Sequence, residues 1–196
     1  MERILIFIKH HLGFIWRIIE NANARVFTLF FGQRLRQETG EVFSKMTLPA
    51  YEFREVEWND LESLRDLLQA QPGEDLDYFK PHEFDLESLK RQKKNSAFYM
   101  MGVWDGNKML GYFFLRFFIN KKCFVGRLID REYRGKGIGG GMNKIMYETV
   151  WSMKFRCLST ISRNNKAVMQ AHSKNQAMLV LKELDNDFLL VEFVKQ

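Results

Sequence analysis

A glycine-rich stretch with basic residues is the part of this sequence whose composition most directly suggests chemistry. Residues 134–141 contain five glycines, one arginine and one lysine, and they follow an apolar run at 123–129. An apolar stripe with helical spacing comes next, at Ile138, Met142, Ile145, Met146, Val150 and Met153. A glycine-rich loop that leads into a helix presents unpaired backbone N–H groups to an anion, and the helix dipole favours negative charge there. We therefore predict that residues 134–141 cradle a phosphate group.

Two common phosphate-binding motifs do not fit this loop. Residues 135–140 have the G-x-G-x-x-G spacing of dinucleotide-binding loops, but that motif belongs to a parallel βαβ unit with an acidic residue about 20 positions further on. Here the loop follows a predicted antiparallel meander, and the next predicted strand, at 157–161, has no acidic residue. A Walker A loop requires Gly-Lys followed by Ser or Thr, which this sequence lacks. The context therefore excludes both types of nucleotide site.

Hydrophobic periodicity and turn residues predict one mixed α/β domain. Strands are expected at 51–57, 97–104, 109–119, 123–129, 157–161, 178–184 and 188–194, and helices at 61–68, 85–94, 138–154 and 164–174. Short turns at 105–108 and 120–122 join three of the strands into an antiparallel meander. The predicted order of elements is β-α-α-β-β-β-α-β-α-β-β.

The loop and its surroundings resemble one family. Arg134-x-x-Gly137-x-Gly139, between a strand and an amphipathic helix, is similar to the acyl-CoA pyrophosphate loop of the GNAT superfamily of N-acetyltransferases. Arg131 is a departure, because the family commonly has proline at that position, in an exposed turn. The resemblance covers residues 51–194 and implies an α/β (α+β) fold: a mixed, mostly antiparallel sheet of about seven strands, about four flanking helices and an N-terminal helical extension. An ordinary glycine-rich turn is the alternative.

The resemblance implies direct transfer of an acyl group from acetyl-CoA, or from another acyl-CoA, to an amine. The backbone of Arg127 and Ile129 would bond the pantetheine arm, and a strand amide near them would polarise the thioester carbonyl. The backbone amides that would hold the pyrophosphate are those of Arg134, Gly135, Lys136, Gly137, Ile138 and Gly139. The alternative is an acyl-CoA-binding or scaffold protein that has the fold but no turnover.

Proton transfer would require side chains, and the family's usual proton donor is missing. In the family, an Asn-x-x-Ala/Ser motif opens the helix after the next strand, and a tyrosine four residues after the Ala often serves as the general acid. Counting from Asn164 puts Ala171 at the tyrosine position, whereas counting from Asn165 puts His172 there. We expect the second register, with His172 as the general acid and with Asn164 and Asn165 at the cofactor. A solvated histidine at the helix end is the alternative.

The sequence constrains the general base and the acceptor less than it constrains the cofactor site. Residues 124–128 include no carboxylate, so Glu132 and the acidic residues of the segment 71–85 are the candidate bases. The acidity of that segment would suit a cationic amine, unless it is a plain solvated loop. Arg116 and Arg127 would instead suit an anionic acceptor such as a sugar nucleotide. The acceptor is therefore predicted only as a small-molecule or glycan-precursor amine.

Residues 1–48 are expected to form an extension of the acyltransferase domain at 49–196. Their apolar residues have helical spacing at Ile4, Leu5, Ile8, Leu12, Ile15, Trp16 and Ile19. Residues 1–45 carry seven Lys and Arg against four Glu, a net charge of +3, and they lack the ~20 consecutive apolar residues of a transmembrane helix. Two interpretations compete. The extension either lies on a membrane surface or a partner as a basic amphipathic helix, or packs on its own domain or in a homodimer.

Composition limits the remaining possibilities. The chain has a formal net charge of +6 at pH 7, but it has no basic run with interleaved aromatic residues, so no nucleic acid is expected as a partner. The four histidines and two cysteines show no metal-ligand spacing, so no metal is expected, and both cysteines are expected to be reduced. We expect a cytoplasmic protein, peripheral to the membrane if the extension binds lipid.

Overall fold

The computed structural model describes residues 13–46, 48, 50–172 and 177–195. Its strands are β1 (Glu52–Glu55), β2 (Phe98–Asp105), β3 (Lys108–Phe118), β4 (Lys122–Ile129), β5 (Arg156–Ser162), β6 (Met178–Glu183) and β7 (Phe188–Phe193). Its helices are α1 (Gly13–Ser44), α2 (Leu61–Gln69), α3 (Gly73–Leu76), α4 (Leu86–Lys94), α5 (Ile138–Ser152) and α6 (Lys166–His172). The apolar positions predicted before residue 13 lie outside the described residues.

The seven strands form one sheet in the order β1-β2-β3-β4-β5-β7-β6. β4 and β5 pair in parallel, and all other neighbouring strands pair antiparallel. The turns of the β2-β3-β4 meander are tight because Gly106 and Lys121 adopt left-handed backbone, with φ of 55° and 62°. The predicted fold class, a mixed and mostly antiparallel sheet with flanking helices, is confirmed.

Alternation along β3 divides the core into two parts, because successive strand residues point to opposite faces of the sheet. Phe113 and Phe117 belong to a cluster with the apolar residues of α1 and α5. Tyr112 and Phe114 belong to a second cluster, with leucines of α2 and α4. The helices therefore cover both faces of the sheet and hold it in a fixed position beside the glycine-rich loop.

α1 is one continuous helix of 32 residues whose inner face belongs to the first cluster. Phe27, Leu35 and Val42 are buried, at spacings that return to the same side of a helix. Phe27 stacks on Phe117 with 4.8 Å between ring centroids, and the Asn23 amide donates to the Phe117 carbonyl at 2.9 Å. None of the described helices is long and apolar enough to cross a membrane. Membrane, partner and homodimer contacts of the extension stay predictions, as does its domain boundary.

Replacing Phe27 by alanine should destabilise the fold, because it removes an aromatic ring that is 0% exposed. We predict that Phe27→Ala lowers the free energy of unfolding by about 3–5 kcal/mol. Leu29→Ala is the matched control on the same helix, since Leu29 is 79% exposed, and its effect should stay within about 0.5 kcal/mol. Urea denaturation followed by circular dichroism measures both. Equal losses for the two variants would contradict the packing of α1 on the sheet.

Candidate functional site

β4 and β5 separate part of the way along their length. Their parallel pairing in the described chain runs only from Lys122 opposite Arg156 to Phe124 opposite Leu158. On its other edge, β4 stays paired with β3 as far as Ile129. A gap therefore opens between two neighbouring strands within the sheet.

The edge of β4 that borders this gap carries backbone groups that point toward β5. The Ser159 Oγ donates to the Val125 carbonyl at 3.0 Å, which places that carbonyl on the β5 side. Because backbone groups alternate in direction along a strand, those of Arg127 and Ile129 point the same way. The Ile129 carbonyl also accepts a bond from the Arg134 Nε at 3.3 Å. The two strand residues that we predicted for the pantetheine arm thus have their backbone at the gap.

The glycine-rich loop connects the end of β4 to α5. Gly135 and Gly137 adopt left-handed backbone, with φ of 79° and 84°, which residues with a Cβ adopt only at a cost. Among the described residues, none accepts a hydrogen bond from the amides of residues 135–139. The next amide, that of Gly140, donates to the Gly137 carbonyl at 3.0 Å. The loop and the first turn of α5 therefore have five N–H groups available to an anion.

The gap and the loop form one cleft of about 870 Å³. Most of the residues predicted to bind the cofactor line it: Arg127, Ile129, Arg134, Gly135, Gly137, Gly139, Asn164 and Asn165. Lys136 and Ile138 do not line it. The Lys136 ammonium lies 4.4 Å from the centroid of the Tyr133 ring, and the Ile138 side chain is buried in the core. These two residues can contribute only through their backbone amides.

Ion pairs tie the acidic segment at 71–85 to the loop. The Asp75 carboxylate accepts two bonds from the Arg134 guanidinium, at 3.2 and 2.9 Å, and Glu74 pairs with Arg131. Both acidic residues line the cleft, and both already have a cationic partner. They are therefore less suited to binding a cationic acceptor, or to accepting its proton, than the sequence alone suggested.

Asparagine caps the helix that follows β5. The Asn165 Oδ1 accepts a bond from the Val168 amide at 3.1 Å, which is N-cap geometry for α6. Asn164 instead donates through Nδ2 to the Asp187 carboxylate at 3.3 Å. The capping residue is thus the asparagine of the register that puts His172 at the position of the family's tyrosine.

His172 lies in the cleft wall and is 6% exposed, so it is not a solvated histidine at a helix end. Its ring packs against Phe193, with 5.2 Å between centroids. Burial, assisted by the nearby charge of Arg127, lowers the pKa of His172 to about 4. The imidazole is therefore neutral at physiological pH. The assignment of His172 as the general acid stays a prediction, and it would have to operate from a neutral ring.

Tyr147 is a cleft residue that the sequence analysis missed. It stacks on Phe193 with 4.3 Å between centroids, and burial raises the pKa of its phenol well above the ordinary value. A signal for it was present in the sequence. Gly139, Asn143 and Tyr147 recur every four residues, which places them on one side of α5. All three line the cleft.

Two sequence candidates lie away from the cleft. The Glu132 side chain is exposed, and its carboxylate lies 3.8 Å from the Lys108 ammonium. Arg116 pairs with Glu20 of α1. Neither Glu132 nor Arg116 lines the cleft, so the structure does not bring them to the site. In the part of the chain that the structure describes, no group of three or more His, Cys, Asp or Glu side chains could hold a metal.

Comparisons with known proteins identify the fold. No protein-family model matches the sequence, and no curated protein matches it. Among solved structures, the chain is similar to the PaiA N-acetyltransferase of Thermoplasma acidophilum in complex with coenzyme A, with TM-score 0.59 and 18% identity over 75% of this chain and 98% of that one. The GNAT domain of S. lividans PAT gives TM-score 0.62 and 11% identity over 72% and 88% of the two chains. The ribosomal-protein-S5-alanine acetyltransferase of Vibrio fischeri gives 0.53 and 16% over 75% and 93%.

The buried neutral His172 predicts a loss of stability in acid. Its pKa is about 4 in the folded state, against about 6.5 when unfolded, so the unfolded chain binds more protons between these values. The free energy of unfolding should therefore fall as the pH drops from 6.5 to 4, by up to about 3 kcal/mol from this residue. Burial lowers the pKa of His82 as well, so His82 also contributes to the dependence of the free energy of unfolding on pH.

Urea denaturation at several pH values measures this slope. His172→Gln, which cannot titrate, should remove the contribution of His172 and leave that of His82. An unchanged slope in this variant would contradict the buried, neutral state of His172.

Proposed function

We propose that this chain, which has the fold of the GNAT superfamily of acetyltransferases, transfers an acyl group from an acyl-CoA to an amine. The proposal rests on one observation: two sets of backbone groups with unsatisfied hydrogen bonds line the same cleft. The first is the row of amides at residues 135–139, and the second is the edge of β4 beyond Phe124; neither has a hydrogen-bond partner strand or loop among the described residues. An acyl-CoA carries a diphosphate that suits the amides and a pantetheine arm whose own amide groups can pair with a strand edge.

The chain's own groups have distinct parts in the proposed reaction. The CoA thioester would supply the activated acyl group. The backbone of Arg127 and Ile129 would orient the pantetheine arm, and one amide of β4 aimed at the thioester oxygen would stabilise the developing oxyanion by about 3 kcal/mol. Tyr147 keeps its proton at neutral pH, because burial raises its pKa. It is therefore a second candidate, beside His172, for donating a proton to the leaving thiolate.

We extend the proposal to acetyl-CoA as the donor and to a small-molecule or glycan-precursor amine as the acceptor. The similarity to the PaiA N-acetyltransferase in complex with coenzyme A supports the donor. The pairing of Glu74 and Asp75 with arginines weakens the case that these two carboxylates bind a cationic acceptor. A cytoplasmic location is part of the same proposal.

Release of free thiol from acetyl-CoA, followed with a colorimetric thiol reagent across a panel of amines, tests the proposal. We expect thiol release that depends on at least one amine. Binding of acetyl-CoA without turnover on any amine would favour the non-catalytic scaffold. Absence of acetyl-CoA binding would contradict the proposal itself.

Substitution of Gly137 should impair this activity through the loop. A Cβ at φ of 84° is strained, and a shift of the loop would displace the amides. We predict that Gly137→Ala weakens acetyl-CoA binding about 10- to 100-fold. Gly106→Ala is the matched control, because Gly106 has φ of 55° but lies in the β2-β3 turn, outside the cleft. If both variants bound acetyl-CoA with wild-type affinity, the loop would not be the binding site.

A further inference from the structure

Arg127 is a cation in the cleft wall that has no acidic partner among the residues the structure describes. Its Nε donates to the Asn143 Oδ1 at 2.7 Å, and no described carboxylate forms an ion pair with its guanidinium. Burial of a charged group without a counter-ion is unfavourable, which is why such groups in proteins are usually paired. The burial of this guanidinium is strong enough to lower the pKa of Arg127.

The other arginines around the cleft differ from Arg127 in this respect. Arg134 pairs with Asp75, and Arg131 pairs with Glu74. Arg127 is therefore the lining arginine, among the described residues, whose positive charge the protein leaves uncompensated. A bound anion would supply the missing charge.

The position of the guanidinium identifies which anion it can reach. The guanidinium lies against the first turn of α5, close to Gly139. If residue 139 had a Cβ, that atom would lie 3.1 Å from the Arg127 Nη1. Gly139 lacks that atom, so the guanidinium can pack directly on the helix start. The amide of Gly139 belongs to the row of free amides that begins at Gly135. The guanidinium and the amides thus border the same part of the cleft.

We propose that the Arg127 guanidinium binds the diphosphate of the acyl-CoA, together with the loop amides. This inference rests on the proposed function and adds a side-chain role to the backbone role of the same residue. A diphosphate has the charge and the acceptor oxygens that a guanidinium binds, and Asn143 holds the Nε so that the two terminal nitrogens remain to donate. A sugar-nucleotide acceptor would carry the same diphosphate chemistry, so the test must separate the two sources.

Calorimetric titration of the full chain with CoA and with pantetheine, which has no phosphate, tests the assignment. We expect Arg127→Gln to weaken CoA binding about 10- to 100-fold and to leave pantetheine binding unchanged. Arg127→Lys should restore part of the loss, because it retains the charge. Arg65→Gln is the control, since Arg65 pairs with Asp66 on the exposed side of α2.

Three results would overturn the assignment. Equal weakening of CoA and pantetheine would show that Arg127 only supports the cleft structurally. If Arg127→Gln left CoA binding unchanged, the guanidinium would have no role in binding the donor. If the variant raised only the KM for the amine, the guanidinium would instead bind the acceptor. Failure of the wild-type chain to bind CoA would instead contradict the proposed function.

The outer face of α1 carries an independent inference. Ile18, Val26, Leu29 and Phe30 are exposed there, Leu29 by 79% and Phe30 by 68%, and Ile119 of the β3-β4 turn is also exposed. Large apolar side chains clustered on the surface mark interaction sites. We call these five residues the α1 apolar patch.

The charges around the α1 apolar patch are basic. Arg25 and Arg36 are exposed, and their spacing from Leu29 places them on the same side of the helix. The acidic residues of the described part of α1 have cationic partners: Glu20 pairs with Arg116, Glu38 with Arg34 and Glu41 with Lys45. The patch therefore combines exposed apolar groups with net positive charge, which complements an anionic lipid surface.

We infer that the α1 apolar patch docks on an anionic membrane surface, with α1 lying in the plane of the interface. Co-sedimentation of the full chain with phosphatidylcholine vesicles, with and without phosphatidylglycerol, tests this inference. We expect binding to the anionic vesicles that weakens at high salt. The double variant Leu29→Glu/Phe30→Glu should weaken it at least about tenfold. Leu179→Glu, at an exposed leucine of β6, should have no effect.

The same variants give the results that would contradict membrane docking. Absence of vesicle binding, or binding that the double variant does not weaken, would overturn it. A wild-type dimer in light scattering that the double variant converts to a monomer would assign the patch to a second copy of this chain.

Discussion

β4 keeps its hydrogen bonds to β3 along its whole length but loses those to β5 after Phe124, and the rest of the site depends on this half-paired strand. A strand edge inside a sheet normally has its backbone groups satisfied, because unpaired buried N–H and C=O groups are costly. Here the side chain of Ser159 satisfies the Val125 carbonyl at the start of the gap. Further along, the backbone of Arg127 and Ile129 borders an open cleft, where a ligand can take the place of the missing strand.

The surrounding elements keep the gap open. Phe193 of β7 lines the cleft and packs against the rings of both Tyr147 and His172. At the other end, the loop turns sharply through two glycines with positive φ and delivers α5 with its first amides free. The strand edge and the helix start, which belong to different elements, thereby face one ligand-sized space. A diphosphate at one end and a thioester at the other would fit such a space.

Local sequence patterns predicted the elements and the loop, because those features depend on residues close together in the chain. Strand alternation and turn residues predicted the order of the strands, and the spacing from Arg134 to Gly139 predicted an anion site. The family resemblance, rather than periodicity, implied that the backbone of Arg127 and Ile129 bonds the pantetheine arm. In the structure both residues lie on the same edge of β4, because backbone groups along a strand point the same way every second residue.

Other features depend on contacts between distant segments, which a single sequence does not specify. The bonds from Arg134 to Asp75 join residues 59 positions apart, and they give a cationic partner to one of the acidic residues that had suggested a cationic acceptor. Glu132 lies close after the end of β4 in sequence, yet its side chain points to solvent beside Lys108. The burial of His172 depends on Phe193, from the last strand. The side chain of Arg127 became a candidate for ligand binding only in the structure, where none of the described carboxylates pairs with it.

We propose that the amides of residues 135–139 and the open edge of β4 bind one acyl-CoA together. Titrating acetyl-CoA into ¹⁵N-labelled protein and following the backbone amide resonances by NMR tests it most directly. We expect the largest shifts at Gly135, Gly137 and Gly139, with a second group at residues 125–129 and little change in the β2-β3 turn. Shifts confined to other parts of the chain, or no shifts at saturating acetyl-CoA, would contradict it.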